Sequence, residues 1–181
     1  MSIKKWPRLG SKVEGDYRVF RLREDVSRSP RTGREHTFYV LDSADWINVI
    51  PITPEGLVVL IRQYRHGTEE ITLEVPGGMV DAGDGSPQDS AARELLEETG
   101  FAAQSIKQIG MVTPNPAILN NVCYTFLAQD ALKVAEPQFD GSEDIEVELF
   151  EPGAVQEMIA SGQITHALTI AAFYFYEHDG I

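Results

Sequence analysis

The stretch GGMVDAGDGSPQDSAARELLEETGF, residues 77–101, decides the fold because it joins a glycine-rich segment to a predicted helix. Sequence signals mark both the first and the last residue of this helix. Ser86 is a favourable N-cap residue, and Pro87 suits the first helical position. Gly100 is a natural residue for the left-handed position that follows a helix. The pattern therefore predicts a helix over residues 87–99.

The predicted helix carries three carboxylates on one face. Glu94, Glu97 and Glu98 are spaced i, i+3 and i+4, so they lie within about one turn of each other. Like charges at this spacing destabilise an isolated helix by a few tenths of a kcal/mol per pair. Clustered oxygen ligands suit hard cations such as Mg²⁺ or Mn²⁺. A solvated acidic face is the alternative, but the neighbouring Arg93 and the glycine loop favour a binding site.

The loop before the helix strengthens this interpretation. Residues 71–75 are predicted to form a strand, which the Pro76-Gly77-Gly78 sequence breaks into a loop. The order of strand, glycine loop and helix places backbone groups beside a bound polyanion. The segment is thus arranged for a phosphate compound held by metal ions.

Composition narrows the class of protein. A chain of 181 residues with 43% hydrophobic residues is long enough for a real core. The formal net charge of −13, without a basic stripe, argues against nucleic acid and anionic membranes as partners. The single Cys123 lies in an apolar run, which predicts a core thiol and a reducing cytoplasm. The first ten residues lack the apolar segment of a secretory signal.

The sequence resembles the Nudix hydrolases. Residues 93–101, RELLEETGF, match the second half of the family signature without a gap. The first half departs from it, because Asp84 stands where the signature has Glu and eight residues rather than seven precede Arg93. Gly85 is the inserted residue. The resemblance implies an α+β (α/β) Nudix fold, a mixed β-sheet in an α-β-α sandwich, over residues 45–181.

The resemblance also implies a metal centre of two or three Mg²⁺ or Mn²⁺ ions. Its implied ligands are carboxylates and one backbone carbonyl: Gly77, Glu94, Glu97, Glu98 and Glu143. The implied catalytic residues are Glu97, Glu98, Glu143 and Arg93, with Arg93 orienting a carboxylate by an ion pair. Relatives carry another acid where this chain has Gly141, so the general base is either Glu143 or a helix carboxylate.

Two arginines are candidates for substrate binding. Residues 62–65, RQYR, end a predicted strand. Two surface arginines are an equally good interpretation from the residues alone, but the run resembles that of Nudix enzymes acting on ADP-ribose and nucleotide sugars. Arg65 is then a diphosphate contact, with Arg62 beside it, because guanidinium binds phosphate in a bidentate manner.

Other residues are candidates for substrate contacts, and only Pro116 among them is implied by the resemblance. Glu74 either supports the loop or contacts a ribose, and Pro116 either marks a substrate loop or simply stiffens it. Trp46 or Tyr39 is positioned to stack on a base, although each is equally suitable as a core residue.

The implied reaction is metal-dependent hydrolysis of the diphosphate bond of ADP-ribose and related nucleoside diphosphate sugars. Hydroxide from a metal-activated water would attack in line and release a nucleoside monophosphate and a sugar phosphate. GDP-mannose and dinucleoside polyphosphates are alternative substrates. A non-catalytic nucleotide-sugar sensor on the same fold is an alternative of another class.

Residues 1–44 are predicted to form a small β-rich arm, with strands over residues 16–23 and 36–43 and a basic turn over residues 27–34. The arm is too small to bury a core by itself. The resemblance implies that it builds a homodimer, in some relatives by exchange between subunits.

The remaining elements are predicted from hydrophobic patterns and turn residues, with a turn at residues 54–56 and Thr165 as the cap of the last helix. The predicted strands cover residues 46–52, 56–61, 106–112 and 122–128, and the predicted helices cover residues 152–161 and the apolar segment that follows Thr165.

Overall fold

The computed structural model describes residues 2–139, 141 and 144–179. It divides into two compact units. The first comprises Met1–Ala44 and Thr113–Val122, and the second comprises Asp45–Val112 and Cys123–Ile181.

The first unit contains an antiparallel sheet of three strands: β1 (Arg8–Tyr17), β2 (Phe20–Arg28) and β3 (Glu35–Asp42). The segment 113–122 joins this unit, and the Leu41 N–H donates to the Ile118 carbonyl at 2.7 Å.

The prediction of one strand over residues 16–23 is wrong. Tyr17 pairs with Phe20, so Arg18 and Val19 form a tight turn between two strands. The turn contains neither Gly nor Pro, and β1 is almost entirely exposed. The sequence therefore offered no alternation of buried and exposed residues that would reveal β1.

The second unit is built on nine strands. They are β4 (Trp46–Pro51), β5 (Val58–Arg65), β6 (Glu70–Glu74), β7 (Gly77–Met79), β8 (Phe101–Ala102), β9 (Ser105–Val112), β10 (Cys123–Gln129), β11 (Leu132–Lys133) and β12 (Ile145–Phe150). A mixed sheet has the order β7-β4-β10-β9, in which only β4 and β10 are parallel. A second, antiparallel sheet has the order β12-β5-β6, and β8 pairs with β11.

Helices cover both faces of these sheets: α1 (Pro87–Thr99), α2 (Pro152–Ala160) and α3 (Ala167–His178). Along β4, Ile47 and Val49 pack in one core with Leu95 of α1, whereas Ile50 packs in the other core with Phe173 of α3. Strands buried on both faces explain the nearly continuous apolar runs in this part of the sequence. The α-β-α sandwich is confirmed.

The predicted helix ends are confirmed for α1. The Ser86 hydroxyl accepts from the Asp89 N–H, Pro87 begins the helix, and Gly100 adopts φ +73° at its end. The cap predicted for the last helix is wrong, since the N-cap of α3 is His166 rather than Thr165. The His166 ring makes no capping bond because it is directed to Glu74 and Thr169 instead.

The loop predicted at Gly77-Gly78 is also wrong, because these residues form the start of β7. Gly77 pairs with Asn48, and a β-carbon on it would overlap the Ile47 carbonyl. Glycine is thus needed here for close approach to β4. Among the described residues, no helix is long and apolar enough to cross a membrane.

Candidate active site

Arg93 is the centre of an ionic cluster on α1. Its guanidinium donates to Asp84 at 3.0 and 3.2 Å, to Glu94 at 2.9 Å and to Glu97 at 2.9 Å. It also donates to the Met79 carbonyl at 3.2 Å, which ties α1 to β7. These hydrogen bonds, chiefly those to Asp84, raise the pKa of Arg93. One cation is thus hydrogen-bonded to three carboxylates, and a fourth, that of Asp81, lies 3.6 Å from its Nη2 atom.

Asp84 performs a structural role at the point where the sequence departs from the signature. Besides Arg93, its carboxylate accepts from the Ser90 hydroxyl at 2.7 Å and from the Asp81 N–H at 3.1 Å. The bonds from Arg93 and Ser90 lower the pKa of Asp84 to about 2. The Asp84 side chain, although shorter than the Glu of the family signature, therefore reaches the Arg93 guanidinium and fixes its position.

Glycines bring two helix carboxylates against the backbone. The Gly77 N–H donates to Glu98 at 2.8 Å, and Glu98 is almost fully buried. A β-carbon on Gly78 would overlap the Glu94 carboxylate. The Gly-Gly sequence therefore provides the space that the acidic face of α1 occupies.

This donor set fits a hard divalent cation in its chemistry. Carboxylate oxygens are the ligands that Mg²⁺ and Mn²⁺ prefer, and the lack of a β-carbon at Gly78 lets the Glu94 carboxylate lie directly against the β7 backbone. Within the described residues, no group of three or more His, Cys, Asp or Glu side chains is already positioned to hold a metal ion. Arg93 holds Glu94 and Glu97, and the backbone of Gly77 holds Glu98.

A second ionic cluster lies at the ends of β5 and β6. Arg65 donates to both oxygens of Glu74, from Nε at 2.8 Å and from Nη2 at 2.7 Å. The Thr72 hydroxyl adds a bond of 2.6 Å, and His166 Nδ1 lies 2.9 Å from Glu74 Oε2. One anion is thus surrounded by three donors.

Glu74 is 1% exposed and Arg65 is 44% exposed at the side chain. Burial alone would raise the pKa of Glu74, but the hydrogen bonds from Arg65, His166 and Thr72 outweigh burial and hold it well below its usual range. Both Glu74 oxygens are therefore buried and already engaged by side chains of β5, β6 and the residue that precedes α3. The hydrogen bond to Glu74 and, to a smaller extent, the negative charge of Glu98 raise the pKa of Arg65.

The other predicted site residues are placed less closely together. Arg62 pairs with Glu148 of β12, and Trp46 lies partly buried at the start of β4. Pro116 belongs to the first unit, in the segment 113–122. Glu143 lies outside the described residues. Tyr39, the other candidate for base stacking, is exposed on β3 of the first unit.

Sequence reasoning did not identify His166, Thr72 or Thr169 as parts of these clusters. His166 is distant from Glu74 in the chain, and neither its neighbours nor its spacing resembles a known site pattern. Only the packing of α3 brings it to the end of β6. The available signal was the position of Glu74 within the apolar run of a predicted strand, because an ionisable group that becomes buried there requires hydrogen-bond partners.

Comparison with known proteins agrees with this architecture. The model of the NUDIX domain matches residues 43–173. The chain belongs to the Nudix family.

Two curated relatives are ADP-ribose pyrophosphatases. That of Bacillus subtilis (strain 168) is 32% identical over 105 residues, 58% of this chain and 56% of the relative. That of Mycobacterium tuberculosis (strain ATCC 25618 / H37Rv) is 25% identical over 154 residues, 84% of this chain and 74% of the relative. The chain thus spans little more than half the length of the first relative.

A solved structure shows the same fold over nearly the whole chain. It is described as an ADP compounds hydrolase and superposes with a TM-score of 0.84 at 20% identity, covering 98% of this chain and 95% of the other.

Proposed function

We propose that the protein is a divalent-metal-dependent hydrolase of the diphosphate bond in ADP-ribose and related nucleoside diphosphate sugars. Its products would be a nucleoside monophosphate and a sugar phosphate. The observation that carries the proposal is the acidic face of α1, where Glu94 and Glu98 lie against two glycines and Arg93 holds Glu97 beside them. The names of the two curated relatives support the substrate class.

The α1 cluster would hold two or three Mg²⁺ or Mn²⁺ ions through Glu94, Glu97, Glu98 and the Gly77 carbonyl, with Glu143 as a further ligand. When bound, such ions neutralise diphosphate charge and lower the pKa of a water molecule. Arg93 keeps the Glu94 and Glu97 carboxylates on one side of the helix, and its role is to orient them. Either Glu143 or a helix carboxylate would accept the proton of the attacking water.

The cluster at β5 and β6 would bind the substrate. Arg65 would offer its guanidinium to the diphosphate, and Glu74 fixes the plane of that guanidinium by a bidentate bond. Arg62 would add a second positive charge. Trp46 is proposed to stack on the base, and Pro116 to stiffen a loop that contacts substrate.

Phosphate-coupled turnover tests the proposal with ADP-ribose, ADP-glucose, GDP-mannose, diadenosine polyphosphate and 8-oxo-dGTP, each with Mg²⁺ and with Mn²⁺. We expect cleavage of ADP-ribose or its sugar analogues, lost on addition of chelator. Cleavage of only the last two compounds would contradict the substrate class. Tight ADP-ribose binding without turnover of any compound would favour a sensor.

The same experiment needs a matched pair of variants. Glu98→Gln keeps the size of a side chain proposed to hold metal, whereas Glu55→Gln changes a carboxylate in the exposed turn before β5. We expect only the first to lose turnover. Equal loss in both would point to a general electrostatic effect.

A homodimer built through the first unit is the proposed assembly. Trp6, His36 and Phe38 form an exposed aromatic cluster there, with Trp6 and Phe38 rings 5.6 Å apart. Exposed apolar groups of this kind favour a protein interface. Residues 1–44 hold ten Lys and Arg against six Asp and Glu, whereas residues 45–181 hold five against 22, so the arm of one copy complements the acidic remainder of another.

Light scattering after gel filtration tests the assembly. We expect a dimer for the unmodified protein and a monomer for Phe38→Asp. Ile71→Asp, on the exposed side of β6, is the control that should leave the dimer intact. A monomeric unmodified protein would refute the assembly. A cytoplasmic location and the absence of nucleic-acid or membrane partners stay predictions of the sequence.

A further inference from the structure

The Glu74 carboxylate is held from two directions. Arg65 of β5 occupies one side with two hydrogen bonds, and the Thr72 hydroxyl adds a third. The remaining contact comes from His166, 92 positions along the chain, at the start of α3. The last helix of the fold therefore contacts the partner of the proposed diphosphate-binding arginine.

One nitrogen of the His166 ring contacts both Glu74 and Thr169. This Nδ1 atom lies 2.9 Å from Glu74 Oε2 and 3.0 Å from Thr169 Oγ1. Thr169 is fully buried, and its hydroxyl accepts from the Val75 N–H at 3.3 Å. An ionised carboxylate only accepts hydrogen bonds, so Nδ1 carries the hydrogen and donates it to Glu74.

Further contacts hold the start of α3 against this region. The Asn48 side chain of β4 donates to the Leu168 carbonyl at 3.0 Å, and Asn48 is nearly buried. The Val75 N–H bond to Thr169 joins the same turn of α3 to the residue after Glu74. The first turn of α3, which follows His166, is therefore anchored both to β4 and to the residue after Glu74.

Arg65 has one edge engaged and one edge available. Glu74 occupies Nε and Nη2, and no described residue accepts a hydrogen bond from Nη1. The side chain is 44% exposed. A guanidinium whose plane is fixed on one edge presents the other edge in a single orientation, which lowers the ordering cost of a bidentate phosphate contact.

We propose that His166 is a positioning residue for substrate binding, because by holding Glu74 it fixes the orientation in which Arg65 meets a diphosphate. The inference rests on the proposed function only in the identity of the ligand. His166 itself touches no substrate in this scheme. Thr72 holds only the oxygen shared with Arg65 Nε, so it does not replace the contact that His166 makes to the other oxygen.

Loss of the imidazole would act on affinity rather than on chemistry. Without His166, Glu74 Oε2 keeps only the Arg65 bond, and the carboxylate gains freedom to rotate. The Arg65 plane would then be less restricted in the free protein. A contact made equally in the ground state and the transition state changes KM and leaves kcat nearly constant.

Steady-state kinetics on ADP-ribose with Mg²⁺ provide the first test. We expect His166→Ala to raise KM by about tenfold and to change kcat by less than about threefold. His166→Asn should recover most of the affinity, because Asn is a good N-cap and places an amide nitrogen near the position of Nδ1. His178→Ala, in the same helix and bonded to the Tyr174 carbonyl, is the control that should behave as unmodified protein.

A second measurement does not depend on activity. The Arg65 Nε–H signal in a ¹⁵N NMR spectrum, assigned by its loss in Arg65→Lys, reports how firmly Glu74 holds the guanidinium. We expect solvent exchange of this proton to accelerate at least several-fold in His166→Ala and to slow again in His166→Asn. If the unmodified protein cleaves none of the nucleotides, the proposed function fails while this test of positioning still stands.

Two results would overturn the inference. Unchanged exchange of the Arg65 proton in His166→Ala would show that Glu74 is held without the histidine. A loss of kcat with constant KM, or a loss that His166→Asn does not relieve, would assign His166 a role other than positioning Arg65.

Discussion

The two ionic clusters of the second unit have opposite arrangements of charge. At α1, one arginine lies among four carboxylates, and one of them, Glu97, is 46% exposed at the side chain. At the end of β6, one carboxylate lies among three donors and is 1% exposed. The first cluster keeps an excess of negative charge, whereas the charge of Glu74 is matched by Arg65.

This difference shows how one acidic protein can hold both cations and an anionic substrate. Carboxylates in excess of their cationic partner can take up divalent ions, because their negative charge is not fully matched. A closed pair instead fixes a guanidinium for a diphosphate. Variants of the two clusters should therefore differ in activity, stability and pH dependence.

The largest expected effect is on turnover at α1. Glu98→Gln should lower kcat by more than the roughly 100-fold that loss of a second-shell partner of a metal ligand costs, because a proposed ligand itself is lost. The amide oxygen can still accept from the Gly77 N–H, so the fold should remain intact. Kinetics with ADP-ribose and a circular dichroism melt would check both points; near-normal activity would exclude Glu98 as a ligand.

The second expected effect is on stability at β6. Glu74→Gln should reduce the free energy of unfolding by about 2 kcal/mol, since it removes the charge of a buried carboxylate that accepts from three side chains, although Arg65 is 44% exposed. Glu97→Gln should cost less than about 1 kcal/mol, because its ion pair with Arg93 is half-exposed. Urea unfolding measures both, and equal losses would contradict the contrast between a closed cluster and an open one.

The third effect concerns the space beside Glu94. Gly78→Ala places a β-carbon on the Glu94 carboxylate, so that side chain must move. We expect kcat to fall by about tenfold, equivalent to about 1.4 kcal/mol. Gly83→Ala is the matched control, because no atom lies within 4 Å of its β-carbon. Activity that is equal in the two variants would remove the reason for glycine at position 78.

The smallest effect is on acid stability. The folded pKa of Asp84 is about 2, below the ordinary value of 3.8. Asp84 therefore adds stability above about pH 4, and this contribution is lost as the pH falls toward 2. Asp84→Asn should be less stable at pH 7 and should lose less stability between pH 4 and pH 2. Denaturant melts across this range would show it. Asp81→Asn is the control with a smaller expected effect, because Asp81 is 65% exposed and lies 3.6 Å from Arg93.

The sequence was sufficient to predict the parts of the fold that depend on local signals. Ser86, Pro87 and Gly100 define α1 because caps and proline act within a few residues. The runs at β4 and β5 are apolar because both faces are buried. The strand β1 escaped prediction because it buries almost nothing, so its sequence lacks the alternation that reveals a strand.

In the candidate site, too, some features could be predicted from local sequence and others required the structure. Glu94, Glu97 and Glu98 share a face by helical spacing alone, which the sequence shows directly. The role of Asp84 required the structure, since the family pattern has a longer acid there and the compensation depends on where Arg93 points. The contact between His166 and Glu74 depends on how α3 packs on the sheet, and no local pattern encodes it.

The central claim is that the α1 cluster binds metal while the Arg65 cluster binds the diphosphate. Mn²⁺ titration followed by electron paramagnetic resonance, together with ADP-ribose titration calorimetry in the presence of Ca²⁺ as a slow-turnover cation, tests it on Glu98→Gln and Arg65→Ala. The account predicts that Glu98→Gln weakens Mn²⁺ binding by at least about tenfold and that Arg65→Ala leaves Mn²⁺ binding unchanged while weakening ADP-ribose binding. Unaltered Mn²⁺ affinity in Glu98→Gln would contradict it.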